Sequence, residues 1–235
     1  ILESGQSLYI AFGQRLFGRA ITRNDKREYN LAKIAVLSLG YGAGASKFCQ
    51  VANAAGVSIS QDEAENVVKL WRTANVAIVN AWLGVERAFR STLHSPYGRS
   101  AHYRQIKFYG RENTVYIELP NGYRIYYPNC AIDRATGELS WSADGITREK
   151  LYGGKIWENI IQATAAQILR RALVILEDAG VEVILHIHDE IIAECDRSKA
   201  RSTARLIANV MRSAPEWAPD MRLEIEQKIA RRWTK

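Results

Sequence analysis

The sequence predicts an α+β fold, with helices and antiparallel hairpins in separate stretches rather than in strict alternation. Apolar residues three and four apart recur in residues 7–18, 25–41, 60–89, 155–177 and 198–211, the spacing of helices that bury one face. Two other stretches flank short polar turns as hairpin strands do. Residues 114–119 and 123–127 alternate around Asn121-Gly122, and the β-branched runs 181–187 and 191–193 flank His188-Asp189-Glu190.

In chain order, residues 7–18 place Leu8, Ile10, Phe12, Leu16 and Phe17 at helical spacing. In residues 25–41 Asp25 stands as the N-cap, with Glu28 three residues on to complete a capping box. Residues three, four and seven apart share a helix face, so Lys26, Tyr29, Lys33, Leu37 and Gly40 line one side with Tyr41 close by. A core helix would not turn two lysines inward. The face either lies in solvent or meets a nucleotide, with ammonium groups on the triphosphate and apolar and aromatic groups on the base. Gly40, Gly42 and Gly44 end the helix and permit a sharp turn.

Residues 60–89 follow as two helical patterns. Asp62 and Glu63 suit the positive end of a helix dipole, and Trp71, Val76, Ile78, Trp82, Val85 and Phe89 are spaced for packing and read as core. Residues 95–142 change character, with turn signals at Pro96-Tyr97-Gly98, Pro120-Asn121-Gly122 and Pro128-Asn129. Arg99, Arg104, Lys107, Arg111 and Arg124 interleave with tyrosines there. Such cations suit a nucleic-acid backbone or, equally, the protection of an exposed sheet edge. In residues 155–177, Ile161, Ala165, Ile168, Leu169, Ala172 and Ile175 form an apolar face, with the amides of Asn159, Gln162 and Gln167 near it. Gly180 ends that helix. Ser198 is the expected N-cap of a last one, whose Ala204, Ile207, Ala208 and Met211 point inward.

At 235 residues the chain makes one large domain or two small ones. A net charge of +7 favours an anionic partner without naming it. Cys49, Cys130 and Cys195 lie far apart with no CxxC pair, which argues against a zinc site or a disulfide framework and fits a reducing cytosol. No apolar run spans a membrane and residues 1–7 lack a signal-peptide pattern, so no membrane partner is expected. The absence of an initial Met predicts a fragment or a processed product.

Adjacent carboxylates at the tip of a buried hairpin are costly unless a cation meets them, and hard oxygens suit Mg²⁺ or Mn²⁺. Asp189 and Glu190 are therefore metal ligands or plain turn residues. His188-Asp189-Glu190 resembles the third palm motif of the DNA polymerase I family (family A). Residues 157–171, WENIIQATAAQILRR, resemble that family's palm helix, and residues 30–47, NLAKIAVLSLGYGAGASK, its fingers helix. Residues 214–235, APEWAPDMRLEIEQKIARRWTK, resemble the C-terminal segment of phage and prophage members.

The resemblance implies part of a right-hand polymerase. A helical fingers region with a β-hairpin insertion would occupy residues 1–147, and the C-terminal part of a palm, an antiparallel sheet with packing helices, residues 148–235. It implies template-directed DNA synthesis from deoxynucleoside triphosphates by a two-metal mechanism. Asp189 would bridge the metals with Glu190 in support. Lys33, Leu37 and Tyr41 would hold the nucleotide, with Lys26 or Arg27 replacing the family arginine at the position of Tyr29. Gln162, Asn159, Arg124 and His188 would contact primer–template DNA, the amides reading minor-groove acceptors that vary little with sequence. The first palm motif, with the second bridging Asp, is not within residues 1–235. The chain is thus expected to need an N-terminal polymerase segment, or to self-associate. The rival expectation is a non-catalytic DNA-binding module or an inactive polymerase relic.

Overall fold

A computed structural model describes residues 7–93 and 98–233. Pro96 and Tyr97 of the expected turn lie outside the described residues, as do residues 1–6 of the stretch read for a signal peptide. The class is α+β, in two compact units: residues 1–116 with 126–159, and residues 117–125 with 160–235.

The first unit opens with five helices, α1 (Leu8–Phe17), α2 (Lys26–Leu39), α3 (Ala45–Ala54), α4 (Gln61–Ala74) and α5 (Val76–Thr92). Phe12, Leu31, Ala35, Phe48, Val67 and Trp71 share one core, in which the Trp71 and Trp82 rings stack 5.8 Å apart. Helix α3 was not anticipated. It is short, and only Phe48 and Ala52 are buried, too few to show a period. Val76, expected in the core, is exposed as the first residue of α5, whereas Trp71, Trp82, Val85 and Phe89 are buried as expected.

The start of α2 differs from expectation. Asp25 makes no cap bond to α2; its carboxylate accepts from the Thr22 N–H at 2.8 Å and from Arg19 at 3.0 Å. These donors hold it below the usual carboxylate range. Glu28 takes the other arm of Arg19 at 2.8 Å, so the expected capping box does not close. A capping box forms instead at α4, where Ser60 Oγ accepts from the Glu63 N–H (3.1 Å) and Glu63 from the Ser60 N–H (2.8 Å). Beyond α2, Gly42 (φ +84°) and not Gly40 takes the left-handed conformation.

Strands β1 (Arg99–Tyr103), β2 (Ile106–Arg111), β3 (Thr114–Glu118) and β4 (Arg124–Tyr127) form one sheet in that order. The β3 and β4 strands match the hairpin read from sequence. The β1–β2 pair was missed, because Arg-Ser-Ala-His-Tyr carries no β-branched residue. Ile106, Phe108 and Val115 are buried on the inner face of the sheet, and α5 packs against β1 and β2. The approach is close: a Cβ on Gly110 would lie 1.8 Å from the Thr92 carbonyl oxygen. A second antiparallel sheet joins β5 (Ala131–Ile132), β6 (Leu139–Trp141) and β7 (Glu149–Leu151).

Helix α6 (Gly153–Asp178) contributes to both units. In the second unit it is followed by the hairpin β8 (Glu182–Ile187) and β9 (Glu190–Glu194), a 3₁₀ turn at Arg197–Lys199 and α7 (Ala200–Arg212). Ala172, Leu176 and Val210 form the core there, with Val181, Val183 and Ile191 packed on it. The apolar face read for α6 is partly displaced. Ile161 and Ala165 are exposed, while Ile156 and Ile160 near the start and Leu176 near the end are buried. The helix carries two buried patches rather than one stripe. Ser198 lies inside the 3₁₀ turn, so Lys199 takes the N-cap position of α7. Among the described residues no helix is long and apolar enough to cross a membrane.

Removing the α4 cap with Ser60→Ala is expected to cost about 1 kcal/mol, lowering Tm by about 2–4 °C. A calorimetric melt showing no change would remove the capping box from the stability of the first unit.

Candidate functional site

In the second unit, Ile187 pairs with Glu190, so the turn between β8 and β9 is the two residues His188 and Asp189. Glu190 is therefore the first residue of β9 and not part of the loop. His188 takes φ +53°, a left-handed conformation that a tight hairpin turn demands and that glycine adopts most easily. For a side chain other than glycine this strain costs on the order of 1 kcal/mol or more. The turn leaves His188, Asp189 and Glu190 all exposed.

The hairpin is not buried, which corrects the expectation that desolvation penalises its carboxylates. Every residue of β8 and β9 is exposed or half-buried. A bulge between Val183 and Leu185 breaks the alternation, so that Ile184 (55% exposed) and Leu185 both face outward. The carboxylate oxygen of Glu190 accepts from the indole N–H of Trp233 at 3.4 Å. The Asp189 carboxylate has no hydrogen-bond or ion-pair partner among the described residues. Among those residues no group of three or more His, Cys, Asp or Glu side chains is gathered to hold a metal ion. Asp189 and Glu190 fit Mg²⁺ or Mn²⁺ in kind, as hard oxygen donors, and fall short in number.

In the first unit, α2 buries Leu31, Ala32, Ala35 and Leu39 and turns Lys26, Lys33 and Leu37 (51% exposed) to solvent. Tyr29 and Tyr41 are half-buried, and Tyr29 meets the Tyr9 ring edge-on at 6.0 Å. Arg27 donates to the Ser58 carbonyl oxygen at 3.3 Å, leaving Lys26 as the cation two turns before Lys33 on the same face.

The end of this helix is held by glycines the sequence reading passed over. A Cβ on Gly154 would lie 2.4 Å from the Tyr41 carbonyl oxygen, and one on Gly153 would lie 2.3 Å from that of Trp82. The Gly153 N–H also donates to a carboxylate oxygen of Glu86 at 2.7 Å, an anion at the positive end of α6. The available signal was a glycine pair opening a helix. Trp233 was likewise missed, and nothing in its local sequence marks it.

The other expected residues are scattered. Asn159 donates to the Tyr127 hydroxyl at 2.7 Å. Burial pushes that hydroxyl up to about 12, the Asn159 bond acting the opposite way. Gln162 is exposed on α6. Arg124 makes two bonds to one carboxylate oxygen of Glu118, at 2.9 and 2.8 Å.

The close approach at Gly154 predicts that Gly154→Ala lowers stability by about 1–3 kcal/mol, because the new methyl meets backbone and not a movable side chain. Gly44→Ala, where nothing lies within 4 Å and only the N-cap preference of α3 is lost, serves as the control and costs less, below about 1 kcal/mol. Equal denaturation midpoints for the two variants would sink this account.

Comparison with known proteins adds four findings. The family model described as DNA polymerase family A matches residues 142–235. The chain is 32% identical over 176 residues to the DNA polymerase of Bacillus phage SP02, covering 71% of this chain and 27% of the phage protein. It is 27% identical over 217 residues to DNA polymerase I of Chloroflexus aurantiacus, covering 90% of this chain and 19% of that protein. The chain thus spans about a quarter of these relatives or less. In fold it is similar to the POL domain of Pol1 from M. smegmatis, solved in complex with DNA primer-template and dNTP. The TM-score is 0.62 at 19% identity, over 94% of this chain and 33% of that one.

Proposed function

We propose, on the premise that the chain belongs to DNA polymerase family A through residues 142–235, that it is the fingers and C-terminal palm portion of a DNA-directed DNA polymerase. The fingers reading covers residues 1–147 and the palm reading residues 148–235. The observation that carries it is the exposed tip His188-Asp189-Glu190 within the matched segment, where a left-handed His188 is followed by a carboxylate, Asp189, with no partner among the described residues. Two adjacent carboxylates at an exposed hairpin tip suit a divalent cation, whose hard-acid character matches their oxygens.

In nucleotidyl transfer the primer 3′-hydroxyl oxygen bonds to the α-phosphorus of the nucleotide and the bond to pyrophosphate breaks. Such a reaction depends on positioning and charge more than on covalent help. Lys33, with Lys26 as the nearer substitute for a second cation, holds the triphosphate, while Leu37 and Tyr41 meet the base. Arg27 is the weaker substitute, being directed to Ser58. Gln162 and the second N–H of Asn159 donate to minor-groove acceptors. His188 and Arg124 contact the DNA strands. Asp189, supported by Glu190, would hold divalent Mg²⁺ or Mn²⁺, which would supply positive charge and lower the pKa of the attacking hydroxyl. Two carboxylates do not complete a two-metal site. A segment carrying the first palm motif supplies the second bridging Asp, and it would also neighbour the exposed hairpin.

Primer extension with Mg²⁺ tests this directly. Extension is expected from residues 1–235 together with a polypeptide carrying the first palm motif, and not from residues 1–235 alone. Robust extension by residues 1–235 alone would show that no second segment is needed. No extension in either case would favour a non-catalytic DNA-binding module. Within the active assembly, Asp189→Ala abolishes incorporation and leaves primer–template affinity within a few-fold. Incorporation at the parent rate would remove Asp189 from the mechanism.

Lys33→Ala is expected to raise the nucleotide KM and lower kcat, a combined loss of roughly 10- to 100-fold in kcat/KM for a charge-assisted contact. Steady-state kinetics unchanged across nucleotide concentrations would return Lys33 to a solvated helix lysine.

A further inference from the structure

Apart from Arg124, which is bonded to Glu118, the outward face of the β1–β4 sheet has no part in the proposed nucleotidyl transfer; β1, β2, Tyr116 and Tyr126 on it belong to the first unit. Side chains alternate across a pleated sheet. With Ile106, Phe108 and Gly110 buried on β2, Lys107, Tyr109 and Arg111 stand on the opposite face. On β1, His102 lies directly opposite Lys107 and Ser100 opposite Tyr109. On the following strands Tyr116 and Tyr126 flank the buried Val115 and Tyr127, and their rings lie 5.0 Å apart at a tilt of 55°. Lys107, Arg111, His102 and Tyr126 are exposed, Tyr126 to 53%.

Edge protection does not account for these cations. Charges that guard a sheet belong on its edge strands, whereas Lys107 and Arg111 are on β2, between β1 and β3. What remains is a solvent-facing surface with cations about 13 Å apart along one strand and tyrosine rings beside them.

We infer that this face binds single-stranded DNA. Cations follow the phosphates, and the tyrosines offer faces for unstacked bases, which a duplex keeps hidden. The inference rests on the polymerase reading for its partner and on no part of the catalytic chemistry.

The test is fluorescence anisotropy of a labelled oligothymidylate with the full chain, without nucleotide or divalent ion, over a range of salt. Lys107→Gln with Arg111→Gln is expected to make the slope of log affinity against log salt shallower by about 1.4, for two lost phosphate contacts. Tyr126→Ala is expected to weaken binding about tenfold and Tyr126→Phe to restore it, because stacking needs the ring and not the hydroxyl. A failure of the catalytic reading registers separately, in primer extension and not in oligothymidylate binding. Thermal melts equal to the parent show that the outward-facing variants fold. Parent-like affinity and salt slope in the variants, or no oligothymidylate binding by the parent, would overturn the inference.

Discussion

The first unit depends on a close approach of backbone to backbone. Gly153 and Gly154 open α6 against the carbonyls of Trp82 and Tyr41, with no room for a Cβ on either. The contact joins three elements at once: the end of α2, the body of α5 and the start of α6. Glu86 strengthens it by taking the Gly153 N–H while also holding Arg90 at 2.8 Å. The geometry of Tyr41 follows from it. Just past α2 the chain turns through the left-handed Gly42, where a Cβ would already touch Gly154 and the Tyr152 ring at 3.3 Å. The exposed Lys26–Lys33–Leu37 face is thus carried by a helix fixed at its far end by backbone contact and along its inner side by Leu31, Ala35 and Leu39.

The second unit has a different economy. Its hairpin lacks a fully buried residue, and Ile184 and Leu185 spend their apolar surface on solvent. An edge and face of this kind are stable on their own only marginally. A strand joining that edge would relieve the exposure and bring further side chains to the tip. The strain at His188 fits the same view. Glycine would relieve it and would remove the imidazole.

Much of this was legible in the sequence, and the failures have identifiable causes. The helices around α2, α4, α5 and α6 and the β3–β4 and β8–β9 hairpins follow from strong periodicity and turn residues. Helix α3 and strands β1 and β2 did not register, because Ala, Ser, Gln and Asn in the first, and Arg, Ser and His in β1, carry no strong pattern. Asp25 and Ser60 are both followed by Glu at the third position, and only the second closes a capping box. The difference is long in range for a local rule: Arg19 and Thr22 engage Asp25 and Glu28 first. The triplet at the hairpin was legible as chemistry, while its exposure was not, because burial depends on what packs over a strand. Trp233 lies 43 residues from Glu190 and no spacing rule reaches it.

The distribution of charge links the two candidate surfaces. Many of the carboxylates are engaged by the chain itself. Asp25, Glu28, Glu63, Glu86 and Glu118 hold donors on their own or neighbouring elements. Asp133 and Asp144 accept from loop N–H groups that hold both below the usual carboxylate range. The net charge of +7 is therefore partly a division of labour, in which acids close turns and caps while lysines and arginines stand outward on α2 and β2. Asp189 is one of the carboxylates outside that pattern. It is a carboxylate at a turn that closes no cap and accepts no N–H among the described residues. Under the proposed function that carboxylate would meet a divalent cation.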